Sequence, residues 1–287
     1  FQAAGPENVG GRSRAIAIDI TNENVLFAGG VSGGLWRSTN QGLTWTRVSD
    51  IDALPNIRYI HQDIRVGHTN EWYYSTGELL PGSSAGSVGA PYRGNGIYKS
   101  NDGGITWVQI SGTATGPIEN ATSPFNYVHN IAQDFSNTAE TEIYAAAIGG
   151  IYRSTNGFNS SQLVVGQDNI NTNNDGIWTE VAVTSTGVVY ATISNFLGQN
   201  GDQTGIFRSE TGLPGSFENI TPPGFFTTYR RTVIRIDPSN EDVVYFLANN
   251  NTDNQFFRFD ASQSAGAQWT DLTSVSYTHL TLPTKIV

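Results

Sequence analysis

Residues 100–107 read SNDGGITW, and residues 38–45 repeat this stretch almost unchanged as STNQGLTW. In both copies the Asp or Asn side chain can accept hydrogen bonds from the backbone amides of a tight turn, and the Gly can adopt a positive φ. The final Trp can cover the apolar side of a hairpin. The two copies, which we call serine turns, therefore predict a stabilised β-hairpin. We expect Asn40, Trp45, Asp102 and Trp107 to be structural and not site residues.

A strand-like segment precedes each serine turn, and similar segments recur further along the chain. It reads GLWRS at 34–38, GIYKS at 96–100, GIYRS at 150–154 and GIFRS at 205–209, with a worn copy, QFFRF, at 255–259. The serines are 62, 54 and 55 residues apart. Two further strand candidates precede each segment and a short one follows it, which is typical of a propeller blade. We predict an all-β fold, a β-propeller of about five four-stranded antiparallel blades.

The serine turns resemble the Asp-box, or bacterial neuraminidase repeat, whose pattern is S-x-D-x-G-x-T-W. The opening residues 5–38 resemble the first blade of secreted bacterial Asp-box propellers of the sortilin and sialidase-like superfamily, and the similarity runs over residues 1–273. This resemblance implies Asp-box hairpins at the blade periphery and a secreted or cell-surface location. It implies no single activity, because sialidases, xyloglucanases, photosystem assembly factors and sorting receptors share the repeat.

The predicted propeller domain covers residues 1–273. Residues 274–287 match no further blade and resemble translated sequencing-adapter DNA, so we expect them to have no partner in the sheets. Propellers of this kind close with six or more blades, and five blades predict an incomplete ring. A chain that begins at Phe1 and has no Met also predicts that its own start is not included. Residues 79–93 interrupt the second unit as either a functional loop or a plain Gly/Ser surface loop.

Composition excludes several classes of partner and site. The formal net charge is −10 and the only lysines are Lys99 and Lys285, so no basic stripe is available for nucleic acid. No apolar run reaches the roughly 20 residues of a membrane span. The absence of Cys excludes disulfides and thiolate zinc sites. Residues 168–176 offer oxygen donors for Ca²⁺ but lack a Glu at the usual offset, so we predict no metal and no cofactor.

Two resemblances to glycoside hydrolases are incomplete. Sialidases hold the substrate carboxylate with arginines and carry an Arg-Ile-Pro motif, which this chain lacks. Xyloglucanases with a similar repeat carry an Asp in the first blade, and Val31 occupies that position here. Because valine cannot transfer protons, this position cannot contribute an acid or base.

A different set of side chains lies at the starts of the predicted innermost strands. Arg12-x-Arg14 precedes Asp19 as Tyr127-x-His129 precedes Asp134, and Tyr59-x-His61 and Trp178-x-Glu180 hold comparable places. Such strand starts gather around one mouth of a propeller channel. The predicted ligand-binding residues are Arg12, Arg14, Tyr59, His61, Tyr127, His129, Trp178 and Arg231. The alternative is that the Tyr and His side chains pack between blades.

These residues favour a secreted, non-catalytic binding or scaffold propeller that recognises a glycan or an extracellular peptide at the channel mouth. The aromatic rings would stack on sugars and the arginines would pair with carboxylates. No acid/base pair is evident, and we predict no catalytic residue. The alternative is a sialidase-like or xyloglucanase-like glycoside hydrolase, which gains support if Glu180 lies beside a second carboxylate in a cleft.

Overall fold

The computed structural model describes seven stretches of the chain. They are residues 12–50, 56–78, 92–115, 123–167, 176–194, 203–250 and 252–275. Three sequence predictions concern residues outside these stretches: the tail from residue 276, most of the 79–93 insertion, and the oxygen-rich stretch 168–175. They remain predictions.

Five antiparallel sheets of four strands make up the described fold, and within each sheet the strands are neighbours in chain order. Blades 1 and 2 contain β1 (Ser13–Asp19), β2 (Asn22–Gly30), β3 (Gly34–Ser38), β4 (Thr46–Arg47), β5 (Ile57–Gln62), β6 (Trp72–Thr76), β7 (Ile97–Ser100) and β8 (Val108–Gln109). Blades 3 and 4 contain β9 (Val128–Gln133), β10 (Ile143–Ala147), β11 (Gly150–Ser154), β12 (Gln162–Gly166), β13 (Thr179–Val183), β14 (Val189–Ile193), β15 (Gly205–Ser209) and β16 (Glu218–Asn219). Blade 5 contains β17 (Thr232–Ile236), β18 (Val243–Asn249), β19 (Asn254–Asp260) and β20 (Trp269–Asp271). The predicted all-β fold of four-stranded blades is confirmed.

Helical structure is limited to single turns. The described residues contain three short 3-10 helices, Ser111–Thr113, Pro124–Asn126 and Thr273–Val275. Within the same residues, no helix is long and apolar enough to cross a membrane.

The hydrophobic cores lie between consecutive blades. Phe27 of blade 1 packs on Trp72 of blade 2 with ring centroids 4.5 Å apart, and both side chains are fully buried. Similar clusters join blades 2 and 3, blades 3 and 4, and blades 4 and 5. Burying one such ring contributes roughly 2–3 kcal/mol. The innermost strands β1, β5, β9, β13 and β17 therefore pack side by side in chain order.

The two serine turns have the hydrogen bonds that their sequence predicts. Asp102 Oδ1 accepts hydrogen bonds from Thr106 N at 2.9 Å and Ile105 N at 3.1 Å, and Ser100 Oγ accepts one from Gly104 N at 2.9 Å. In blade 1, Asn40 Oδ1 accepts the equivalent bond from Thr44 N at 2.9 Å. Asn and Asp can therefore replace one another at this position.

The third blade keeps this turn although its sequence is less complete. Asn156 Oδ1 accepts a hydrogen bond from Ser160 N at 3.0 Å, as Asp102 does from Thr106. Phe158 stands where the other turns have Gly, and it adopts φ of 65°. A positive φ is unfavourable for a bulky residue. Because the Phe158 ring is fully buried in the core between blades 2 and 3, its burial offsets this strain.

We expect Asp102→Ala to lower the free energy of unfolding by about 1–2 kcal/mol, because the amides of Ile105 and Thr106 lose their acceptor. Asp102→Asn is the matched control and should cost much less, since Asn40 and Asn156 accept the same bond in blades 1 and 3. Urea denaturation at pH 7 measures both. Equal losses in the two variants would contradict this role of the side-chain oxygen.

Candidate functional site

Three innermost strands have an irregularity at the same place near their first residue. The register between β1 and β2 shifts at Arg14, that between β5 and β6 shifts at Arg58, and that between β9 and β10 shifts at His129. A β-bulge leaves one residue out of the ladder and redirects its side chain. Each bulged residue lies five positions before the Asp that ends or follows its strand, namely Asp19, Asp63 and Asp134. Three consecutive blades therefore place Arg, Arg and His at equivalent positions.

This register corrects the sequence alignment of the second blade. The residue equivalent to Arg14 and His129 is Arg58, not His61. His61 lies three residues further, about 10 Å along the strand. Its Nε2 atom is 3.0 Å from Gln133 Oε1 and its ring stacks on Phe135. Counting back five residues from Asp63, as from Asp19 and Asp134, is the signal that could have identified Arg58.

Glu78 is the centre of a group of arginines. It follows β6, pairs its backbone with Tyr92, and is only 4% exposed. Arg12 Nη2 donates a hydrogen bond to Glu78 Oε2, and Arg14 Nη2 donates one to Oε1. Arg58 Nη1 lies 3.7 Å from Oε1. Both carboxylate oxygens of Glu78 are thus engaged by guanidinium groups.

A second carboxylate, Glu180 of β13, is 5% exposed and paired with arginines of blade 5. Its Oε1 atom accepts a hydrogen bond from Arg235 Nη1 at 3.1 Å and one from Ile234 N at 3.4 Å. Arg231 Nη2 lies 3.5 Å from the other oxygen, Oε2. No described residue donates a hydrogen bond to Oε2 within normal geometry, so this oxygen is the least engaged of the four.

Electrostatic interactions join these two groups. Burial lowers the pKa of Arg58 to about 10, and the positive charges of Arg231 and Arg14 contribute to that lowering, while Glu78 and Glu180 act in the opposite direction. Arg58 therefore interacts electrostatically with both carboxylates and with arginines of both groups. We call the combined set the arginine cluster, and it consists of Arg12, Arg14, Arg58, Glu78, Glu180, Arg231 and Arg235. Five arginines and two glutamates leave a formal surplus of three positive charges.

Two other predicted site residues border the arginine cluster. Tyr59 is half-buried; burial raises the pKa of its hydroxyl, and the charges of Arg235 and Glu180 reach it. His129 is buried and its Nε2 atom is 2.8 Å from the carbonyl oxygen of Ile177. Burial and the charge of Arg58 lower the pKa of His129 to about 3. His129 is therefore neutral at ordinary pH.

The remaining predicted residues have other surroundings. Tyr127 is 2% exposed, and Arg93 donates a hydrogen bond to its hydroxyl. Trp178 is half-buried, with the Arg230 guanidinium 5.8 Å from its ring centroid. The structure thus brings together Arg12, Arg14 and Arg231, with Tyr59 and His129 alongside. It does not bring His61 to this group.

Val31, where the sequence excludes an acid or base, is buried. Its side chain is 4% exposed, and its backbone amide donates a hydrogen bond to the carbonyl oxygen of Arg12 at 3.0 Å. The valine is therefore part of the scaffold that supports the arginine cluster.

One group of side chains has the spacing of a metal site: Asp63, His68 and Glu71 place ligand atoms within 4.8 Å of one another. Their oxygens already have cationic or polar partners. Asp63 Oδ2 accepts hydrogen bonds from Arg65 Nη2 at 2.7 Å and Gln133 Nε2 at 2.9 Å. Glu71 is paired with Lys99 at 2.5 Å and with His68 at 2.6 Å. The group is an ion-pair network that joins blade 2 to blade 3.

Curated relatives of the chain are xyloglucanases. Over 120 residues it is 32% identical to xyloglucanase Xgh74A of Acetivibrio thermocellus, a match that covers 38% of this chain and 14% of that enzyme. A xyloglucanase of a Paenibacillus species matches with the same identity over 38% of this chain and 11% of its own length. The chain thus spans a small part of these relatives. No family model matches the chain.

Solved structures with a similar fold are β-propeller proteins. The GH74 enzyme of Niastella koreensis superimposes with a TM-score of 0.59 at 20% identity, covering 90% of this chain and 38% of that one. An ancestral GH74 enzyme gives 0.64 at 22% identity, covering 90% and 32%. YCF48 bound to D1 peptide gives 0.55 at 12% identity, covering 94% and 69%. At these identities the likeness establishes the propeller fold alone.

The matches correct the main functional prediction from the sequence. A non-catalytic binding or scaffold propeller is the wrong interpretation, because the proteins that match in sequence are hydrolases. They favour the alternative, a glycoside hydrolase.

We expect Glu78→Gln to lower the free energy of unfolding by about 3 kcal/mol, because it leaves three arginines without their buried counter-charge. The control is Glu210→Gln, whose pair with Arg208 is exposed and should contribute less than about 1 kcal/mol. Urea denaturation of both variants provides the comparison. Similar values for the two would show that Glu78 does not hold the cluster together.

We also expect His129 to stay neutral in the folded protein throughout the mildly acidic range. Its pKa is about 3 in the folded protein against an ordinary value of 6.5, so the unfolded chain binds the proton first. Stability is therefore lost as pH falls below the ordinary value. NMR titration of the ring measures the protonation directly. In His129→Gln the loss of stability on mild acidification should be smaller; an unchanged loss would count against this assignment.

Proposed function

We propose that this protein is a secreted glycoside hydrolase of Asp-box propeller type that cleaves a polysaccharide at the arginine cluster. The observation that carries the proposal is the 32% identity to two xyloglucanases over 120 residues. The four-stranded blades and the hydrogen-bonded serine turns support it, because they are the framework on which such a site would be built. A glycan is accordingly the proposed partner.

The arginine cluster contains two carboxylates, which is the number that glycoside hydrolysis uses. One carboxyl group protonates the leaving oxygen, and the other either activates water or attacks the anomeric carbon. Glu180 is the proposed proton donor and acceptor, since its Oε2 atom is the least engaged oxygen. Glu78 is the proposed second carboxylate. Arg12 and Arg14 donate hydrogen bonds to its carboxylate, and Arg58 lies 3.7 Å from it.

The neighbouring side chains suit a sugar. Trp178 lies two residues before Glu180 and is half-buried. The Tyr59 hydroxyl is close enough to Glu180 to interact with its charge. Aromatic faces stack on sugar rings while polar tips bind hydroxyl groups. The proposed substrate-binding residues are Arg12, Arg14, Tyr59, His129, Trp178 and Arg231.

Xyloglucan is the first substrate to test, with release of reducing ends as the measurement. We expect Glu180→Gln to lower kcat by about 10²–10⁴, as loss of an acid/base group does. The control Glu210→Gln makes the same Glu-to-Gln change at an exposed position outside the cluster and should leave kcat unchanged. Thermal denaturation checks that both variants are folded. The proposal fails if the folded protein releases no reducing ends from xyloglucan or from any member of a panel of neutral and acidic polysaccharides.

A further inference from the structure

The arginine cluster has more positive charge than its own carboxylates neutralise. It holds five of the thirteen arginines of a chain whose formal net charge is −10. The cluster runs from exposed to buried side chains, with Arg235 73% and Arg231 47% exposed. The Arg12 and Arg14 side chains are about a quarter exposed, and Arg58 lies deepest at 9%. A partly buried group of like charges attracts ions of opposite sign.

Arg58 is buried and, among the described residues, has no close counter-charge. No residue in the described part of the chain accepts a hydrogen bond from its guanidinium, and the nearest carboxylate oxygen is 3.7 Å away. Arg14 has a similar deficit, because its Nε atom is buried and has no hydrogen-bond partner among the described residues. Buried polar groups without partners are costly. The planar fork of a guanidinium matches a carboxylate in bidentate geometry.

Within the described stretches, His129 Nδ1 lacks a hydrogen-bond donor, whereas Arg14 Nε lacks an acceptor. A carbonyl oxygen can only accept, so the 2.8 Å contact with Ile177 assigns the proton to Nε2. The other ring nitrogen, Nδ1, is then an acceptor, and it is buried without a partner among the residues described. The low pKa of His129 keeps it in this neutral form. A hydroxyl group is the donor that would satisfy it.

We propose that the substrate of this site carries a carboxylated sugar, a uronic acid whose carboxylate binds Arg58 and Arg14 and whose hydroxyl donates to His129. The inference rests on the proposed function in that it places this sugar in the glycan to be cleaved. A neutral glycan has no negatively charged group that could neutralise the surplus positive charge of the arginine cluster. Every uronic acid ring carries both a carboxylate and free hydroxyl groups, which matches two donors and one acceptor.

Trigalacturonate and its methyl ester are the probes, because esterification removes the charge of the carboxyl groups and keeps the same sugar chain. We expect the acid to bind at least ~10-fold more tightly than the ester in calorimetry, and its affinity to fall with salt. Arg58→Gln should remove this preference. Arg58→Lys keeps the charge but loses the fork, and should weaken binding of the acid at least ~5-fold. Arg258→Gln, which changes an arginine paired with Asp260 in blade 5, should have no effect.

Equal affinity for acid and ester would overturn the inference, as would binding of the acid that survives Arg58→Gln. Tighter binding of a sulfated galactan oligosaccharide than of trigalacturonate would overturn the choice of a carboxylate. Thermal denaturation of each variant separates loss of binding from loss of folding. Glu180-dependent turnover without preference for the acid retains the hydrolase and removes the inference. Acid-specific binding without turnover of any glycan retains the carboxylate-binding site and removes the hydrolase.

Discussion

Aromatic side chains packed between consecutive blades hold the five sheets together. Each sheet covers its neighbour, and the contact at Phe27 shows how closely turns and cores are linked. A Cβ atom on Gly104 would lie 2.2 Å from Phe27 Cζ, and Gly104 has φ of 75°. The serine turn of blade 2 can therefore approach Phe27, in the core between blades 1 and 2, only with glycine at this position. Turn chemistry and core packing cannot change independently.

At the starts of β5 and β9 the first residues, Ile57 and Val128, pack in the inter-blade cores, whereas the bulged residues that follow them are polar. Bulges at Arg14, Arg58 and His129 take these residues out of the ladder. Desolvating Arg58 is costly, and Glu78 offsets only part of that cost. An apolar residue would be more favourable for stability. Retention of buried charge at such a place is typical of functional sites.

The blades could be predicted from the sequence because the signals are local. Ser100 and Asp102 form their hydrogen bonds within five residues, and the repeat interval follows from counting. The site could be predicted only in part. Matching Tyr59-x-His61 to Arg12-x-Arg14 sets His61, which lies two residues before Asp63, against Arg14, which lies five before Asp19, and so passes over Arg58. Glu78 was missed because it meets Arg12 and Arg14 only through contacts more than 60 residues apart in sequence.

The functional prediction failed for a related reason. Val31 excludes a carboxylate at one position of the first blade, but a hydrolase requires carboxyl groups at given places in space and not at given places in a motif. The Trp178-x-Glu180 pattern marks Glu180 in blade 4, but no motif marks Glu78, which reaches the arginine cluster from blade 2. Scaffold and substrate preference can also vary separately. The scaffold depends on the serine turns and the inter-blade cores, whereas the charge offered to a ligand depends on the seven residues of the arginine cluster. A change in the arginine cluster can therefore alter the charge presented to a ligand without altering the blades.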